Sequence, residues 1–540
     1  MNAATDPVEL RRNRLAADPR SRTTAAVSLG VAAGLILSLL GGRAPGGVSE
    51  EAPRPNIVLI MCDDMGYSDV GCYGGEIRTP HLDRLAAEGL RFTQFYNCAK
   101  CTTTRASLVT GLHPRQGKGG LLRENMVTLG EVLRAAGYQT SLSGKWHLGS
   151  SPPRRPIDRG FDEYYGLMDG CCNFFDPAQP DPPNKGGRVR TFAHNDRRIT
   201  EFPDDFYTTD AFSDHAAGMI GRFAGRGKPF FVHVCYTAPH YPLHAKPDDV
   251  ARYRGTYGMG WYELRAQRHA RQLAMGLLDP KWKLAEADPH VGPWEDVKNR
   301  ALWELRMAVY AAMIDAMDQG IGRILESLEA SGATGNTVVM FLSDNGGCAE
   351  LPEGADFPHP PGPKEYYTSC GPGWGWAQNT PFRRYKSWVH EGGISTPLIV
   401  RWPGVVEPDT FTNQVGHVID FMPTCLELAR GRYPDSFGGN SILPAEGKSL
   451  VPIFRGQLRQ PHETLCWYWA GNRAVRQGNW KLVWEKSARR WELYDLEADR
   501  TELNDLADRQ PERVEQMSRV WLAWAEQTEV KVSRPAGKGR

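Results

Sequence analysis

The chain reads as an α/β protein, with a large doubly wound mixed-sheet domain over 55–435 and a small antiparallel sheet plus helix over 436–540. Two observations predict the large domain. Short runs that are apolar on both faces, such as Ile57–Cys62 and Val338–Leu342, alternate with segments of helical spacing. That is the pattern of strands buried between helices on both sides. Several of these runs also end abruptly in Asp, Asn or Gly, at the carboxyl ends where open α/β sheets bind ligands. A third observation predicts the small domain: from about residue 437 the texture changes to short alternating segments separated by turns.

A chain of 540 residues, 41% of them hydrophobic, is long enough to bury a large core. Its 57 glycines and 39 prolines point to a loop-rich globular enzyme, not a fibre or a disordered chain. The net charge of +1 comes without an acidic or basic tail. No electrostatic argument therefore favours nucleic acid, and any positive site must be local. Eleven cysteines are too few for a disulfide scaffold at this length. The adjacent Cys171 and Cys172, and the isolated Cys370, are candidates for bridges in an oxidising compartment.

In chain order, residues 1–24 are polar and arginine-rich and Ala25–Gly42 is apolar and small. Residues 1–52 thus read as a signal peptide and spacer. An uncleaved anchor is the alternative, weakened by its glycines and marginal length. Asn56–Cys62 is a central strand that delivers Asp63 and Asp64 to its carboxyl end. Thr79 and Pro80 predict the cap and first residue of a helix. Cys101 opens the next helix. Tyr138–Ser143 is a short strand entering a loop on which Lys145 and His147 alternate, and so face one side. Residues 150–205 look irregular. Pro229–Tyr236 is a buried strand leading to His240, 245–300 an insertion with some helix, and Ala301–Ser331 a long helix closed by Gly332. Thr337–Ser343 repeats the first strand and delivers Asp344 and Asn345. Residues 349–380 read as a loop, Lys386 follows in a basic run, and Thr396–Trp402 is a further strand. In the last part Arg473–Arg476, Lys481–Trp484 and Trp491–Tyr494 predict the antiparallel strands, and Glu512–Gln527 the closing helix.

The chemistry concentrates around Tyr96–Gly111. Cys101 stands where free N–H groups and the helix dipole favour an anion. Arg105 lies one turn on, on the same side. Three readings compete for Cys101: a structural cysteine, a modified cysteine, and a thiolate nucleophile, which needs a base the pattern does not supply. Asp63, Asp64, Asp344 and Asn345 are hard oxygen donors suited to Ca²⁺ or Mg²⁺, not zinc. Either pair alone reads as a turn. Together, three uncompensated carboxylates repel strongly without a cation. Lys145, His147, His240, Lys386 and Arg105 have ordinary readings singly, and together make a pocket for a tetrahedral oxyanion.

Asp63–Gly66, the Cys101 segment, Gly144–Gly149, Ala238–His240, Ser343–Gly347, and Lys386 before Glu391–Gly393 resemble the motifs of the formylglycine-dependent sulfatases, in that family's order. The closest flavour is bacterial arylsulfatase-like. Trp480–Val483 and Trp491–Leu496 resemble the family's end domain. The resemblance covers roughly 55–530 and implies an alkaline-phosphatase/sulfatase-like fold. It also implies a sulfuric ester hydrolase in which Cys101 of Cys-x-(Pro/Ser/Ala)-x-Arg is oxidised to formylglycine by a maturation enzyme. Thr103 departs from the usual Pro, which bears on which enzyme matures the site. On the same resemblance a formylglycine hydrate attacks sulfur and later expels sulfate. Ca²⁺ sits on Asp63, Asp64, Asp344, Asn345 and the modified Cys101. Arg105 supports the diol, Lys145 and Lys386 bind sulfate, and Asp344 accepts the nucleophile's proton. His147 is the base of the elimination and His240 the acid toward the leaving oxygen.

A phosphomonoesterase or phosphodiesterase of the same superfamily is the runner-up, and a silent binding protein with unmodified Cys101 is a third reading. On the resemblance, an aryl sulfate and a sulfated carbohydrate are both open as substrate. Phe174, Phe175, Trp374 and Trp376 in the rim loops either stack on it or pack the loops. Export to the periplasm or medium is expected, with membrane contact only through an uncleaved N-terminal segment.

Overall fold

The structure is a computed structural model that describes residues 53–531; the leader read over 1–52 lies outside them. Strand β1 (Asn56–Cys62) stands at the centre, buried from Ile57 onward. Its alternating side chains serve two cores, which is why the run lacks polar alternation. Val58 and Ile60 pack toward the helices Thr208–Ala224 and Arg300–Ala330. Ile57, Leu59 and Met61 pack toward the helices Cys101–Thr110, Leu129–Ala135 and Phe421–Ala429.

Ten more described strands join it: β2 (Leu90–Tyr96), β3 (Gln139–Gly144), β4 (Glu163–Leu167), β5 (Phe192–His194), β6 (Arg197–Ile199), β7 (Phe230–Cys235), β8 (Thr337–Ser343), β9 (Ser395–Arg401), β10 (Thr410–Thr412) and β11 (Gly416–His417). The order is β10-β2-β9-β8-β1-β7-β3-β4-β5-β6, with β11 also on β2. The stretch β8-β1-β7-β3-β4 is parallel. Antiparallel β9 lies between β2 and β8, and β5 and β6 are antiparallel at the far edge, so the sheet is mixed as expected. Register sets Cys62 beside Ser343 and Gly144 beside Cys235. The segments that follow β1, β8, β3 and β7 therefore leave the sheet along one edge.

Several expectations are corrected. Residues 150–205 contain β4, β5 and β6; these are short strands toward the sheet edge, set among Pro and Gly. The loop 349–380 includes a helix at Gly371–Gln378. Thr79 precedes the helix Pro80–Ala87 without capping it: its hydroxyl accepts from Gly71 N and donates to Asp83 Oδ1. All eleven cysteines are buried free thiols, so neither Cys171 nor Cys172 nor Cys370 forms a bridge. Cys171 Sγ instead contacts the Tyr367 hydroxyl at 3.3 Å.

After a small hairpin, β12 (Ser436–Phe437) and β13 (Asn440–Ser441), the chain builds a four-stranded antiparallel meander. Its strands are β14 (Leu465–Trp469), β15 (Asn472–Gln477), β16 (Trp480–Glu485) and β17 (Arg490–Asp495). The helix Pro511–Gln527 covers one face through Met517, Trp521 and Ala525. The other face, with Leu465, Trp467, Ala474 and Val483, packs on Tyr96, Val389, Ile394 and Ile419 of the main body. The aromatic run of β14 has no polar alternation, which is why it escaped the sequence reading.

Candidate active site

The predicted site residues come from six places along one sheet edge. Asp63 and Asp64 follow β1, and Asp344 and Asn345 follow β8. Lys145 and His147 follow β3, and His240 lies beyond β7. Lys386 precedes β9, and Cys101 opens the helix after β2. All are buried except His147, which is half-buried. Five non-glycine residues at or within two positions of them adopt left-handed backbone: Asp64 (φ 65°), Ala99 (φ 64°), His147 (φ 60°), Arg384 (φ 63°) and Ser387 (φ 73°). Such conformations cost on the order of 1–3 kcal/mol each and persist where the surroundings over-determine them. The kink at His147 also means that its loop is not extended there. Lys145 and His147 share the site, but not through simple alternation.

The structure corrects the electrostatic expectation. Each carboxylate has its own cation: Lys145 Nζ lies 2.5 Å from Asp63 Oδ2, Lys386 Nζ 2.6 Å from Asp64 Oδ2, and Arg105 Nη2 2.7 Å from Asp344 Oδ2. The side chains expected to face sulfate thus already answer the carboxylates. What they leave over is specific. Asp63 Oδ1 and Asn345 Oδ1 are buried with no hydrogen-bond partner among the described residues. Asn345 Nδ2 donates to Asp64 Oδ1 at 2.7 Å, which fixes the amide's orientation. Buried oxygens without donors are rare, and a hard cation satisfies them, so this donor set fits one. Burial and Asp344 push the Asp63 carboxyl up to about 8 against the pull of Lys145. His240 Nε2 lies 3.4 Å from Asp64 Oδ2. Asp63, Asp64 and His240 each offer a donor within 4.8 Å of the others, which adds an imidazole to the oxygen set.

Cys101 Sγ lies 3.6 Å from His147 Nδ1. Burial raises the thiol's pKa, although Lys145 and Lys386 pull it down. The thiol is therefore not activated, which weighs against a thiolate nucleophile. Burial, followed by the surrounding cations, holds His147 and His240 well below the usual histidine range. Both imidazoles are neutral near pH 7. Since a carbonyl only accepts, the 2.5 Å contact from His240 Nδ1 to Tyr241 O places the proton on Nδ1 and leaves Nε2 as the free nitrogen. Cys98 turns away toward His417 Nε2 at 3.8 Å. Thr103 Oγ1 sits 2.9 Å from both the Cys98 and Lys100 carbonyls, within a continuous helix.

Several contributing residues were not foreseen. Lys100 pairs with Glu350 at 2.7 Å, and the Tyr241 hydroxyl donates to Glu350 at 2.5 Å. Behind the Asp63-Asp64 turn, Asp69 accepts from Gly66 N, Arg268 and the Tyr310 hydroxyl, while Tyr310 also reaches the Asp64 carbonyl at 3.2 Å. These partners meet across distant segments, and no local pattern marks them.

The sulfatase family profile matches residues 55–431, and a profile of the N-sulphoglucosamine sulphohydrolase C-terminal region matches 382–521. An uncharacterized sulfatase of Schizosaccharomyces pombe is 32% identical over 528 residues, covering 89% of this chain and 95% of its own. An arylsulfatase of Klebsiella aerogenes is 32% identical over 451 residues, covering 77% and 95%. The crystal structure of Ps i-CgsB matches with a TM-score of 0.65 at 26% identity, covering 88% of this chain and 93% of its own. The chain belongs to the sulfatase family and is a sulfuric ester hydrolase.

Proposed function

We propose that the protein hydrolyses sulfate esters through a formylglycine at position 101 and a bound Ca²⁺. One observation carries this reading: a buried Cys101 at a helix start shares a sheet edge with two buried oxygens, Asp63 Oδ1 and Asn345 Oδ1, that lack donors. Asp63, Asp64, Asp344, Asn345 and residue 101 would hold the cation, which supplies a Lewis acid toward the sulfate oxygens. A formylglycine hydrate there would supply one hydroxyl toward sulfur and a second whose deprotonation would release sulfate as the aldehyde reforms.

The remaining roles belong to this chain's side chains. Arg105 bridges Asp344 and the Lys145 carbonyl and so holds two strand ends in place beside residue 101. Lys145 and Lys386 bring ammonium groups that an anionic ester attracts away from Asp63 and Asp64. His147, neutral and beside residue 101, takes a proton from it. His240 gives a proton to the leaving oxygen; the negative charge of a bound ester favours its protonated form. Among the relatives is a mouse N-acetylgalactosamine-6-sulfatase, 29% identical over 500 residues. Ps i-CgsB is also described in complex with k-i-k-neocarrahexaose, at 25% identity. These support a sulfated carbohydrate beside aryl sulfates. The apolar leader over 25–42 supports export, and Cys101 within its motif supports a formylglycine-generating partner.

The test compares 4-nitrophenyl sulfate and 4-nitrophenyl phosphate turnover by protein produced alongside a sulfatase-maturing enzyme. Sulfate turnover should dominate, disappear with EDTA and return with Ca²⁺. Preference for phosphate, or indifference to chelation, would contradict the reading.

A further inference from the structure

Lys185 stands out among the cations at the rim of this pocket. Its Nζ lies 4.7 Å from the Tyr241 ring centroid, 5.2 Å from that of Tyr367, and 3.5 Å from the Tyr241 hydroxyl. The two rings meet edge to face at 5.8 Å. They hold the ammonium in place, since a cation over an aromatic face is attracted to it. Its neighbours are neutralised: Arg188 pairs with Asp169, Arg190 with Asp181, and Lys100 with Glu350. Among the described residues no carboxylate forms an ion pair with Lys185, which is half-buried. The nearest acid in this chain of contacts is Glu350, reached only through the Tyr241 hydroxyl and already paired with Lys100. A partly desolvated ammonium without a counter-ion is a site for an anion.

Tyr241 ties this cation to the reaction. It follows His240 and accepts the hydrogen bond from His240 Nδ1 on its carbonyl. Its ring centroid is also 5.6 Å from Lys386 Nζ. One ring therefore contacts both the ammonium on Asp64 and the ammonium at the rim, and the two nitrogens lie no farther apart than the sum of their distances to it. A sugar ring with two substituents spans such a gap. His240 faces the leaving oxygen, so the group that reaches Lys185 belongs to the leaving alcohol.

We propose that Lys185, Tyr241 and Tyr367 form a leaving-group subsite for a second anionic group, making a multiply charged glycan the preferred substrate. This deepens, and rests on, the sulfatase reading above. Sulfate and carboxylate share the required chemistry, and the test separates them.

The readout is a ratio of kcat/KM values measured on one preparation of mature enzyme, so that incomplete maturation or folding cancels. One arm compares a disulfated disaccharide with its monosulfated form; the other compares a uronate-bearing disaccharide with its neutral counterpart. Wild type should favour the doubly charged partner in at least one arm by about tenfold, the worth of one good partly buried charge contact. Lys185→Gln should bring that ratio to about one, and Lys185→Arg should keep most of it. Rising ionic strength should lower it in wild type. The arm with the larger ratio identifies the anion. A wild-type ratio near one in both arms, or an unchanged ratio in Lys185→Gln, would overturn this subsite alone. Absence of turnover on every sulfate ester, 4-nitrophenyl sulfate included, would overturn the sulfatase reading and the subsite with it.

Discussion

At Asp63, burial and Asp344 favour the neutral acid while Lys145, 2.5 Å away, favours the ion. A divalent cation on the partnerless Oδ1 would settle the balance toward the ion. Asp63→Asn keeps the shape and removes the charge. It is expected to lower kcat/KM on an aryl sulfate by about 10²–10³ and to raise the Ca²⁺ concentration needed for half-activity, which a Ca²⁺ titration reads. His240→Ala carries a different signature. Only a basic leaving oxygen needs a proton, so turnover of sugar or alkyl sulfates should fall by about 10²–10⁴, and that of 4-nitrophenyl sulfate much less. Equal losses would remove the acid role. The four oxygen donors were legible because each closes an apolar run. Lys145, Lys386 and Arg105 were legible as cations, but their pairing was not: it depends on the segments after β3, before β9 and after β2 meeting the ends of β1 and β8, which no local pattern encodes. Glu350 and Lys185 stand in Pro/Gly-rich loops without periodicity, so nothing in the sequence marked them.

Between elements, the site is held by backbone in close approach. A Cβ on Gly346 would lie 1.9 Å from Gly392 O and 2.6 Å from Asn379 Oδ1. The turn after β8 and the loop before β9 thus pack main chain to main chain. Gly346→Ala should displace Asn345, abolish most activity and cost about 1–3 kcal/mol in denaturant unfolding. The C-terminal sheet is fastened at Glu391, which receives Lys481 at 2.8 Å and Arg500 at 3.3 Å. Burial alone would raise its pKa, yet Lys481, Arg500 and Arg476 outweigh burial and hold it down at about 2, against an ordinary 4.5. A depressed carboxylate adds stability that is complete above its unfolded value and lost as pH falls through the folded one. Acid unfolding followed by tryptophan fluorescence should show this loss between about pH 4.5 and 2. Glu391→Gln should be less stable at pH 7 and flatter across that window. The buried central strands were readable from their unbroken apolar runs, whereas β4, β5 and β6 were too short and too interrupted by Pro and Gly.

For the whole molecule, a cation that binds only the folded chain must stabilise it. Ca²⁺ at a hundred times its Kd adds about 2.7 kcal/mol, which should raise the unfolding midpoint by a few degrees, reversibly with EDTA and not in Asp63→Asn. No helix among the described residues is long and apolar enough to cross a membrane. The fold, the mixed sheet and the sulfatase membership connect the sequence to sulfate ester hydrolysis, and the formylglycine at position 101 remains the central claim. The most direct test is the mass of the peptide containing residue 101, from protein matured in its native host or beside a sulfatase-maturing enzyme. The expected result is that CH₂SH has become CHO, with sulfur and two hydrogens lost and one oxygen gained, in proportion to sulfate turnover. An intact thiol at Cys101 in a preparation that fully hydrolyses sulfate esters would contradict it.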